Sequence, residues 1–326
     1  MTDHTLLREH LTRGAMVCVH IIICCVSLIY VANFEFPNAF NPAEFHMFYD
    51  PARLLIAVSA AGAFSLVAAV FVFARFSFGY FVGFYFYTMV LGYLWLNCFT
   101  DLSYDHSTAR LSAAASAVAF LGPALLVSAP LRQVYVLSRP AFDRLLNFIL
   151  LLAVVTVAVG AVYNFRLVSV EHIYDFRDKN EAPTILRYLI GMNSGALLPF
   201  AFAGFAARKA CWRAGAVLVL LLLLYPITFS KLALFTPFWL MFVMLLSRLA
   251  EARVATILSL LVPVAAGILL IVLFRDRVAV LYFATVNFRM IAIPSLGIDI
   301  YNDFFSRHDL TYFCQISILK RLMYCP

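Results

Sequence analysis

A polar and aromatic stretch near the C-terminal end carries the residue types that chemistry at a membrane surface requires. It runs from Arg289 to Asp309 as RMIAIPSLGIDIYNDFFSRHD. Asp299 and Asp303 are four residues apart, so they would share one face of a helix. A carboxylate can act as a general base, and an arginine can hold an anion through two parallel hydrogen bonds. This stretch is therefore the part of the sequence on which a proposed activity can be based.

The same stretch has a second interpretation. Pro294 and Gly297 are expected to break any helix that precedes the two acids. If residues 298–306 are helical, Tyr301 and Phe305 are offset from the acidic face, where they would anchor an interfacial helix on lipid headgroups. The residues alone leave both an active site and an interfacial helix open.

The composition of the whole chain indicates that its solvent is mostly lipid. Apolar residues make up 64% of the 326 positions and charged residues 13%, which is about half the charged share of soluble proteins. Such a chain cannot cover a water-facing surface, so a soluble globular protein is excluded. The first apolar run, 14–33, is too long for the apolar core of a signal peptide and lacks a cleavage site. We interpret it as the first membrane span.

The lengths of the apolar runs predict an all-α, polytopic membrane protein with about nine spans. A hydrocarbon core about 30 Å thick requires about 20 helical residues. The predicted spans lie near 14–33, 54–74, 78–99, 111–129, 145–164, 186–206, 214–229, 232–248 and 254–274. Residues 1–274 would then form a transmembrane bundle. Residues 275–326 would form an extracytoplasmic, periplasmic loop with an interfacial helix.

The run 214–248 requires its own explanation, because a single helix of that length would be about 50 Å long and exceed the bilayer. Pro226, Lys231 and Pro237 interrupt its middle, and a lysine at the bilayer centre is costly. We therefore predict a hairpin of two spans with Lys231 at its tip.

The distribution of Arg and Lys predicts a cytoplasmic N-terminus. With that orientation the inner segments are rich in Arg, whereas the first outer loop, 34–50, has no Arg or Lys. The rule fails in the outer loop 165–187 and again in the C-terminal tail. In the loop, pairing with neighbouring acids is the simpler explanation. In the tail, Arg275, Arg277 and Arg289 outnumber the nearby acids and predict an anionic lipid headgroup or diphosphate as their partner.

Several classes of function are not supported by the sequence. The phosphate-binding patterns GxxxxGK[ST] and GxGxxG are absent, as are HExxH and CxxC, and the seven histidines are dispersed. We therefore predict no nucleotide-driven domain, no cofactor and no metal site. The net charge of +7 is interpreted as membrane topology rather than nucleic-acid binding.

Two further features leave alternatives open. The third span is rich in aromatic residues, which would either pack the core and anchor the interface or line a groove for a sugar or polyprenyl chain. Cys314 and Cys325 both fall in the predicted outer tail, where a disulfide is chemically permitted.

Two segments resemble the bacterial oligosaccharide repeat-unit polymerases, the Wzy-type O-antigen polymerases. They are 226–238 (PITFSKLALFTPF) and 289–313 (RMIAIPSLGIDIYNDFFSRHDLTYF). In that family a serine–lysine turn is followed by an R…P…Y.(D/E)FF run in a large periplasmic loop. Gly297 follows Arg289 too closely for the Arg-x10-Gly pattern of some relatives. Relatives also usually return through several more spans, so we expect a chain that is truncated at its C-terminus.

The resemblance implies a GT-C-like, metal-independent glycosyltransferase of the bacterial inner membrane. It would transfer a growing glycan from undecaprenyl diphosphate to a hydroxyl of another lipid-linked repeat unit on the periplasmic face. The product would be O-antigen, capsule or exopolysaccharide. The implied partners are the undecaprenyl-diphosphate-linked glycan, membrane lipids, a chain-length regulator and a flippase, with no nucleic acid.

Roles for individual residues follow from the resemblance together with the chemistry of phosphate departure. Arg289 would stabilise the diphosphate leaving group, with Lys231 assisting, and Asp303 or His308 would be the general base. The predicted site consists of catalytic and substrate-binding groups. The catalytic residues are Arg289, Asp303 and His308, and the substrate-binding residues are Lys231, Tyr301, Arg275 and Arg277.

Two other classes of protein compete with the polymerase. A lipid-linked oligosaccharide flippase or secondary transporter would also have many spans, but such proteins usually place ionisable residues at mid-bilayer. Here the centres of the predicted spans are almost free of charge, which favours chemistry at one surface. An inactive, truncated membrane subunit is the third alternative.

Overall fold

The computed structural model describes residues 3–33, 46–127, 136–168, 183–312 and 314. Within them the chain is helical, and the only β-structure is an isolated bridge between Met47 and Thr100. Ten helices of this part are long and apolar enough to cross a membrane. They are α1 (Asp3–Asn33), α2 (Pro51–Phe73), α3 (Phe78–Leu96), α4 (His106–Leu126), α5 (Arg139–Tyr163), α6 (Thr184–Ala207), α7 (Cys211–Thr228), α8 (Lys231–Leu249), α9 (Ala252–Leu273) and α10 (Arg277–Arg307). The all-helical, multi-pass membrane class predicted from the sequence is confirmed.

The first nine helices lie where the apolar runs predict spans, although α1 begins well before the predicted residue. The hairpin within 214–248 is also confirmed, because α7 and α8 pack against each other and are joined by two residues. Phe229 ends α7 with a left-handed φ of 51°, a common way to terminate a helix. Pro226 and Pro237 lie inside the two helices rather than in the turn.

Helix α10 is the main departure from the sequence-based prediction, since it covers much of the segment predicted as a loop. It continues through Pro294 and Gly297, so the prediction that these residues break the helix is wrong. The helix is π-helical over Ala284–Ala292 and α-helical over Ile293–Arg307. Pro294 therefore occupies the first turn of the α-helical part, where proline is tolerated because its fixed φ suits the start of a helix.

The helices form two compact units. Unit 1 comprises Met1–Ala129 and Ala250–Pro326, and thus α1–α4, α9 and α10; unit 2 comprises Pro130–Leu249, and thus α5–α8. In unit 2, α7 packs against α5, α6 and α8. A π-helical turn of α6 buries Asn193 completely, and its amide nitrogen donates to Thr156 Oγ1 at 3.1 Å.

In unit 1, α3 is the central helix and packs against α1, α2, α4, α9 and α10. Its aromatic residues Tyr80, Phe84 and Tyr87 are fully buried, whereas Phe78 is exposed. Phe71 of α2 contacts all three buried rings. These aromatic side chains therefore pack the core of unit 1.

Two glycines allow α10 to approach its neighbours closely. A Cβ atom at Gly92 of α3 would lie 2.6 Å from Ser295 Oγ, and one at Gly267 of α9 would collide with the side-chain amide of Asn287. Small residues at such points let helix backbones come together. The close approach also lets the fully buried Asn287 donate to Ser27 Oγ of α1 at 2.9 Å.

Helices α3 and α9 run in the same direction. Arg253, at the start of α9, donates to the carbonyl of Ala74, just before α3 begins, at 3.5 Å. Further along both helices, the hydroxyls of Tyr85 and Ser259 are 2.7 Å apart. The C-terminal end of α9 therefore lies at the same end of unit 1 as the connection between α3 and α4. We call this the connector end, defined by residues 97–105.

Both ends of α10 lie at the connector end. Its first residue follows the C-terminus of α9 by a few positions. Near its last turn, Asp299 accepts a hydrogen bond from Asn97, and Asn302 donates to the hydroxyl of Tyr93 at 3.1 Å. Helix α10 is long enough to cross a bilayer, but these contacts place its C-terminal half beside the end of α3. It therefore does not carry the chain to the opposite end of unit 1.

The end of unit 1 opposite the connector end carries arginine side chains. Arg13 and Arg253 donate to the carbonyls of Val72 and Ala74, which terminate α2. Arg53, Arg110, Arg275 and Arg277 lie at the connector end, so the arginines of unit 1 do not by themselves determine which end faces the cytoplasm. The cytoplasmic location of the N-terminus stays a prediction.

The packing of α10 predicts that the α3–α4 connection and the end of α10 lie on the same side of the membrane. Ten regular crossings would instead place them on opposite sides. We expect alkaline phosphatase fusions after Ser103 and after Asp309 to be active, whereas a β-galactosidase fusion after Lys209 should be active as the cytoplasmic control. High β-galactosidase activity after Asp309 together with phosphatase activity after Ser103 would contradict the packing.

The cysteines of the described residues divide into two groups. Cys314 is disulfide-bonded, and Cys325, the partner suggested by the sequence, lies outside the described residues. The others are free: Cys18, Cys24, Cys25, Cys98 and Cys211. A disulfide at Cys314 fits the predicted extracytoplasmic position of the tail.

Candidate active site

The connector end is ordered by backbone and capping hydrogen bonds. Phe48 donates to the carbonyl of Phe99 at 2.9 Å, and Asp101 donates to that of His46 at 3.1 Å, which ties the segment before α2 to the connection. Asp105 caps α4 by accepting from the first-turn amides and from the hydroxyls of Ser107 and Thr108. These hydrogen bonds hold the pKa of the Asp105 carboxyl well below its usual range.

A buried carboxylate lies at the centre of this end. Asp299 of α10 is 1% exposed. Its Oδ1 atom accepts hydrogen bonds from Asn97 Nδ2 at 2.8 Å and from the hydroxyl of Tyr104. Asn97 Nδ2 also lies 2.6 Å from the Tyr104 oxygen. We call Asn97, Tyr104 and Asp299 the carboxylate cluster.

Three side chains surround the carboxylate cluster. The hydroxyl of Tyr93 lies 3.4 Å from that of Tyr104, and it accepts from Asn302. His106 donates from Nε2 to the carbonyl of Leu102 at 2.9 Å. Its Nδ1 atom is 3.2 Å from the amide nitrogen of Asn97, so a neutral imidazole would accept there. The cluster is thus held by groups from α3, the connection, α4 and α10.

The cluster has acceptor oxygens to spare. Asp299 Oδ2 and Asn97 Oδ1 are both buried without a hydrogen-bond partner among the residues that the structure describes. Each belongs to a side chain whose other polar atom makes the 2.8 Å contact between Asn97 and Asp299. Buried polar atoms are usually satisfied, and an exception calls for an explanation. A ligand that donates hydrogen bonds, such as a sugar hydroxyl, would satisfy both.

Tyr104 stays protonated in this environment. Burial, and next the hydrogen bond to Asp299, raise the pKa of its hydroxyl far above the ordinary value. Tyr104 is therefore a hydrogen-bond donor to the carboxylate throughout the physiological pH range. It fixes the orientation of Asp299 and does not compete for the proton of a substrate.

Two of the sequence-predicted catalytic residues lie on the same helix but outside the cluster. Asp303 is on the same face as Asp299, as predicted, and forms an ion pair with Arg307. His308 is exposed, donates from Nδ1 to the carbonyl of Phe304 at 2.8 Å and stacks on the Phe304 ring. The Asp303 carboxylate is therefore partly neutralised, and the His308 ring is engaged with its own helix.

The exposed side of α10 carries the aromatic residues that were predicted to bind substrate or lipid. Tyr301 is 67% exposed, and its ring stacks on that of Phe305 with the centroids 6.2 Å apart. Phe304 is also exposed. These rings form an aromatic surface on the face of α10 away from the carboxylate cluster. Both a sugar and a lipid headgroup region would fit against such a surface.

The predicted cationic residues come from three different segments of the chain. Arg289 is half-buried in the π-helical part of α10 and precedes Asp299 by ten residues. Arg275 and Arg277 are exposed at the beginning of that helix. Lys231 is the first residue of α8 and belongs to unit 2. The assignment of Arg289 and Lys231 to one diphosphate stays a prediction.

Asn97, Tyr104 and His106 were missed by sequence reasoning. They occur in LNCFTDLSYDHS, which follows the aromatic third span. The signal was a run of polar side chains directly after a span, at the same predicted membrane face as the C-terminal stretch. The stretch 289–309 has the same pattern, because its polar residues also follow a predicted span. Within the described residues, no three His, Cys, Asp or Glu side chains come together as a metal ion would require.

Comparisons with known proteins identify no relative of this chain. No protein-family model, no curated protein and no solved structure matches the chain.

Proposed function

We propose that this chain is a membrane glycosyltransferase that polymerises lipid-diphosphate-linked oligosaccharide repeat units on the periplasmic face of the bacterial inner membrane. The observation that supports it most is the carboxylate cluster at the connector end. A buried carboxylate with a free oxygen is placed at one end of the apolar unit 1, where a lipid-linked substrate would present its sugar. The sequence resemblance to Wzy-type polymerases is the second support.

The chemistry requires a base and an acceptor hydroxyl. Transfer to a sugar hydroxyl forms a new C–O bond, breaks the bond to the diphosphate and releases the hydroxyl proton. Asp299 Oδ2 is the atom proposed to receive that proton, because Tyr104 and Asn97 occupy Oδ1. Asn97 Oδ1 would accept a hydrogen bond from a neighbouring hydroxyl of the same sugar. Asp303 also has a buried oxygen without a partner among the described residues, but its other oxygen is paired with Arg307, so the proposal takes Asp299 as the general base and Asp303 as the alternative.

The departing diphosphate requires positive charge, and Arg289 with Lys231 is the pair that the resemblance assigns to it. A guanidinium group binds a phosphate through two parallel hydrogen bonds, which stabilises the leaving group as its negative charge develops. No nucleotide sugar and no metal ion take part in this proposal. The GT-C-like character of the fold also belongs to the proposal.

A transporter is the second candidate, and a specific observation favours it. Carboxylates and histidines buried inside a membrane bundle often mark pathways for ions or protons. Asp299 is one such group, and His20 of α1 is another, fully buried and 2.9 Å from Thr88 Oγ1 of α3. The two functions differ in what accumulates when the protein is missing.

Electrophoretic profiling of surface glycan in a deletion strain tests the proposal. A strain that lacks the polymerase should display single repeat units and no ladder, because export continues without polymerisation. Complementation by this chain should restore the ladder. A deletion that leaves no repeat unit at the surface, with lipid-linked repeats retained on the cytoplasmic side, would contradict the polymerase and favour the transporter.

A further inference from the structure

Two arginines flank one residue of the α3–α4 connection. Arg110, in the second turn of α4, donates from Nη1 to the sulfur of Cys98 at 3.1 Å. Arg53, at the start of α2, donates from Nη1 to the carbonyl of the same Cys98 at 3.5 Å and to that of Thr100 at 3.2 Å. Both guanidinium groups thus approach Cys98 at the connector end. We call Arg53 and Arg110 the arginine pair.

The charge of Arg110 has little compensation. No carboxylate of the described residues lies within ion-pair distance of it, and its one polar contact there is the Cys98 thiol. Burial raises the pKa of that thiol, against the opposing effect of Arg110 and Arg53, so the thiol is neutral at pH 7. A thiol is a weak acceptor, and a guanidinium carries five N–H donors. Arg110 therefore retains donors for an anion.

Arg53 is only slightly better neutralised. Its Nε atom lies 3.6 Å from Asp50 Oδ2, and both side chains are about half exposed. An exposed pair at this distance contributes little. Two partly compensated guanidinium groups that approach the same residue, Cys98, raise the positive potential there, which favours binding of an anion.

The pair lies next to the carboxylate cluster. Cys98, which both arginines approach, directly follows Asn97 of the cluster in the chain. The connector end thus has a cationic part and an acidic part that meet at residues 97 and 98. A substrate with an anionic leaving group and a hydroxyl acceptor would require both kinds of surface at short range.

We propose that the arginine pair, Arg53 and Arg110, is a binding site for a phosphate ester presented at the membrane surface. A phosphate or diphosphate can accept two parallel hydrogen bonds from the forked donors of an arginine. Two sources share this chemistry: the diphosphate of a lipid-linked glycan and the headgroup of an anionic phospholipid. The first source rests on the proposed function, whereas the site itself does not.

Binding measurements on the full chain in nanodiscs test this site. The probe is farnesyl diphosphate, titrated into protein held in phosphatidylcholine, with phosphatidylglycerol added to a second set of nanodiscs. Arg53→Gln and Arg110→Gln should each weaken binding of the diphosphate at least tenfold, about 1.4 kcal/mol. Arg75→Gln is the matched control, because Arg75 is exposed at the opposite end of unit 1.

The two sources are separated by competition. If phosphatidylglycerol does not reduce diphosphate binding, the site prefers the diphosphate, and if it competes fully, the site is a headgroup site; both results support the site. Equal affinity of the two variants and the wild-type chain, or no saturable binding of either probe by the wild-type chain, would overturn it. Arg110→Lys is the control for loss of binding through misfolding, because it keeps the positive charge and should retain part of the affinity for the diphosphate.

The result is distinguishable from a failure of the proposed function. Diphosphate binding that depends on the arginine pair, in a chain that does not restore a glycan ladder, would support the site and refute the polymerase. A restored glycan ladder, in a chain that does not bind the diphosphate at the arginine pair, would refute the site and support the polymerase.

Discussion

Replacing Asp299 by asparagine is expected to abolish the glycan ladder while the protein remains folded. Asparagine has nearly the same shape, and its amide oxygen can accept from Tyr104 and Asn97 as Oδ1 does. It cannot take a proton from a sugar hydroxyl. Since general base catalysis contributes about 10²- to 10⁴-fold, polymerisation should fall by at least about 100-fold. The measurement is polymer formed per unit of protein in the complemented deletion strain.

Two matched variants separate the base from its neighbours. Asp303→Asn removes a carboxylate on the same face of α10 that is already paired with Arg307, and we expect polymer formation to be retained. Tyr104→Phe removes a donor to Asp299 without removing the carboxylate, and it should weaken activity less than Asp299→Asn. Loss of the ladder in Asp303→Asn together with a normal ladder in Asp299→Asn would return the role of base to Asp303.

The spans could be predicted because their physical cause lies in local composition. An apolar run of bilayer length must form a helix in lipid, since every backbone group has to be satisfied within the segment. The hairpin tip at Lys231 followed from the same reasoning, because one helix of that length would exceed the bilayer and a charge is costly at its centre. These inferences required no knowledge of which helices are neighbours.

The course of α10 could not be predicted in this way, because long-range packing determines it. Pro294 and Gly297 normally favour a break, and the sequence does not show that a π-helical turn accommodates the proline ring. Nor does it show that Gly92 and Gly267 admit Ser295 and Asn287. These contacts bury the segment in unit 1 and turn a predicted surface loop into part of the bundle.

The carboxylate cluster also combines a feature that follows from local sequence with one that depends on long-range packing. The shared face of Asp299 and Asp303 followed from helix periodicity. That Asp299 would be the buried member, held by Asn97 and Tyr104, depends on contacts across about two hundred positions of the chain. Sequence spacing alone carries no information on such a contact. The residue types led to Asp303 and His308 as candidate bases, whereas the buried contacts lead to the proposal of Asp299 on the same helix.

Arg289→Ala is the second variant for which we expect a large effect, the loss of the polymer ladder with single repeat units still displayed. Arg289 lies in the π-helical part of α10, and such turns are frequent at functional sites. Loss of a cation that stabilises the departing diphosphate would raise the barrier by about 3–4 kcal/mol, or about 10²- to 10³-fold in rate. Arg289→Lys should restore only part of the activity, because a point charge does not replace the forked donors.

The control for Arg289 is Arg75→Ala, since Arg75 is exposed at the opposite end of unit 1 and should leave the ladder unchanged. A normal ladder in Arg289→Ala cells would contradict the assignment of the diphosphate to this residue. If Arg110→Gln then abolished the ladder, the arginine pair would replace Arg289 as the site of the leaving group. If both variants lost it, the two regions would act on the same substrate. Arg110 would bind the phosphate ester beside the carboxylate cluster, and Arg289 would stabilise the charge that develops on departure.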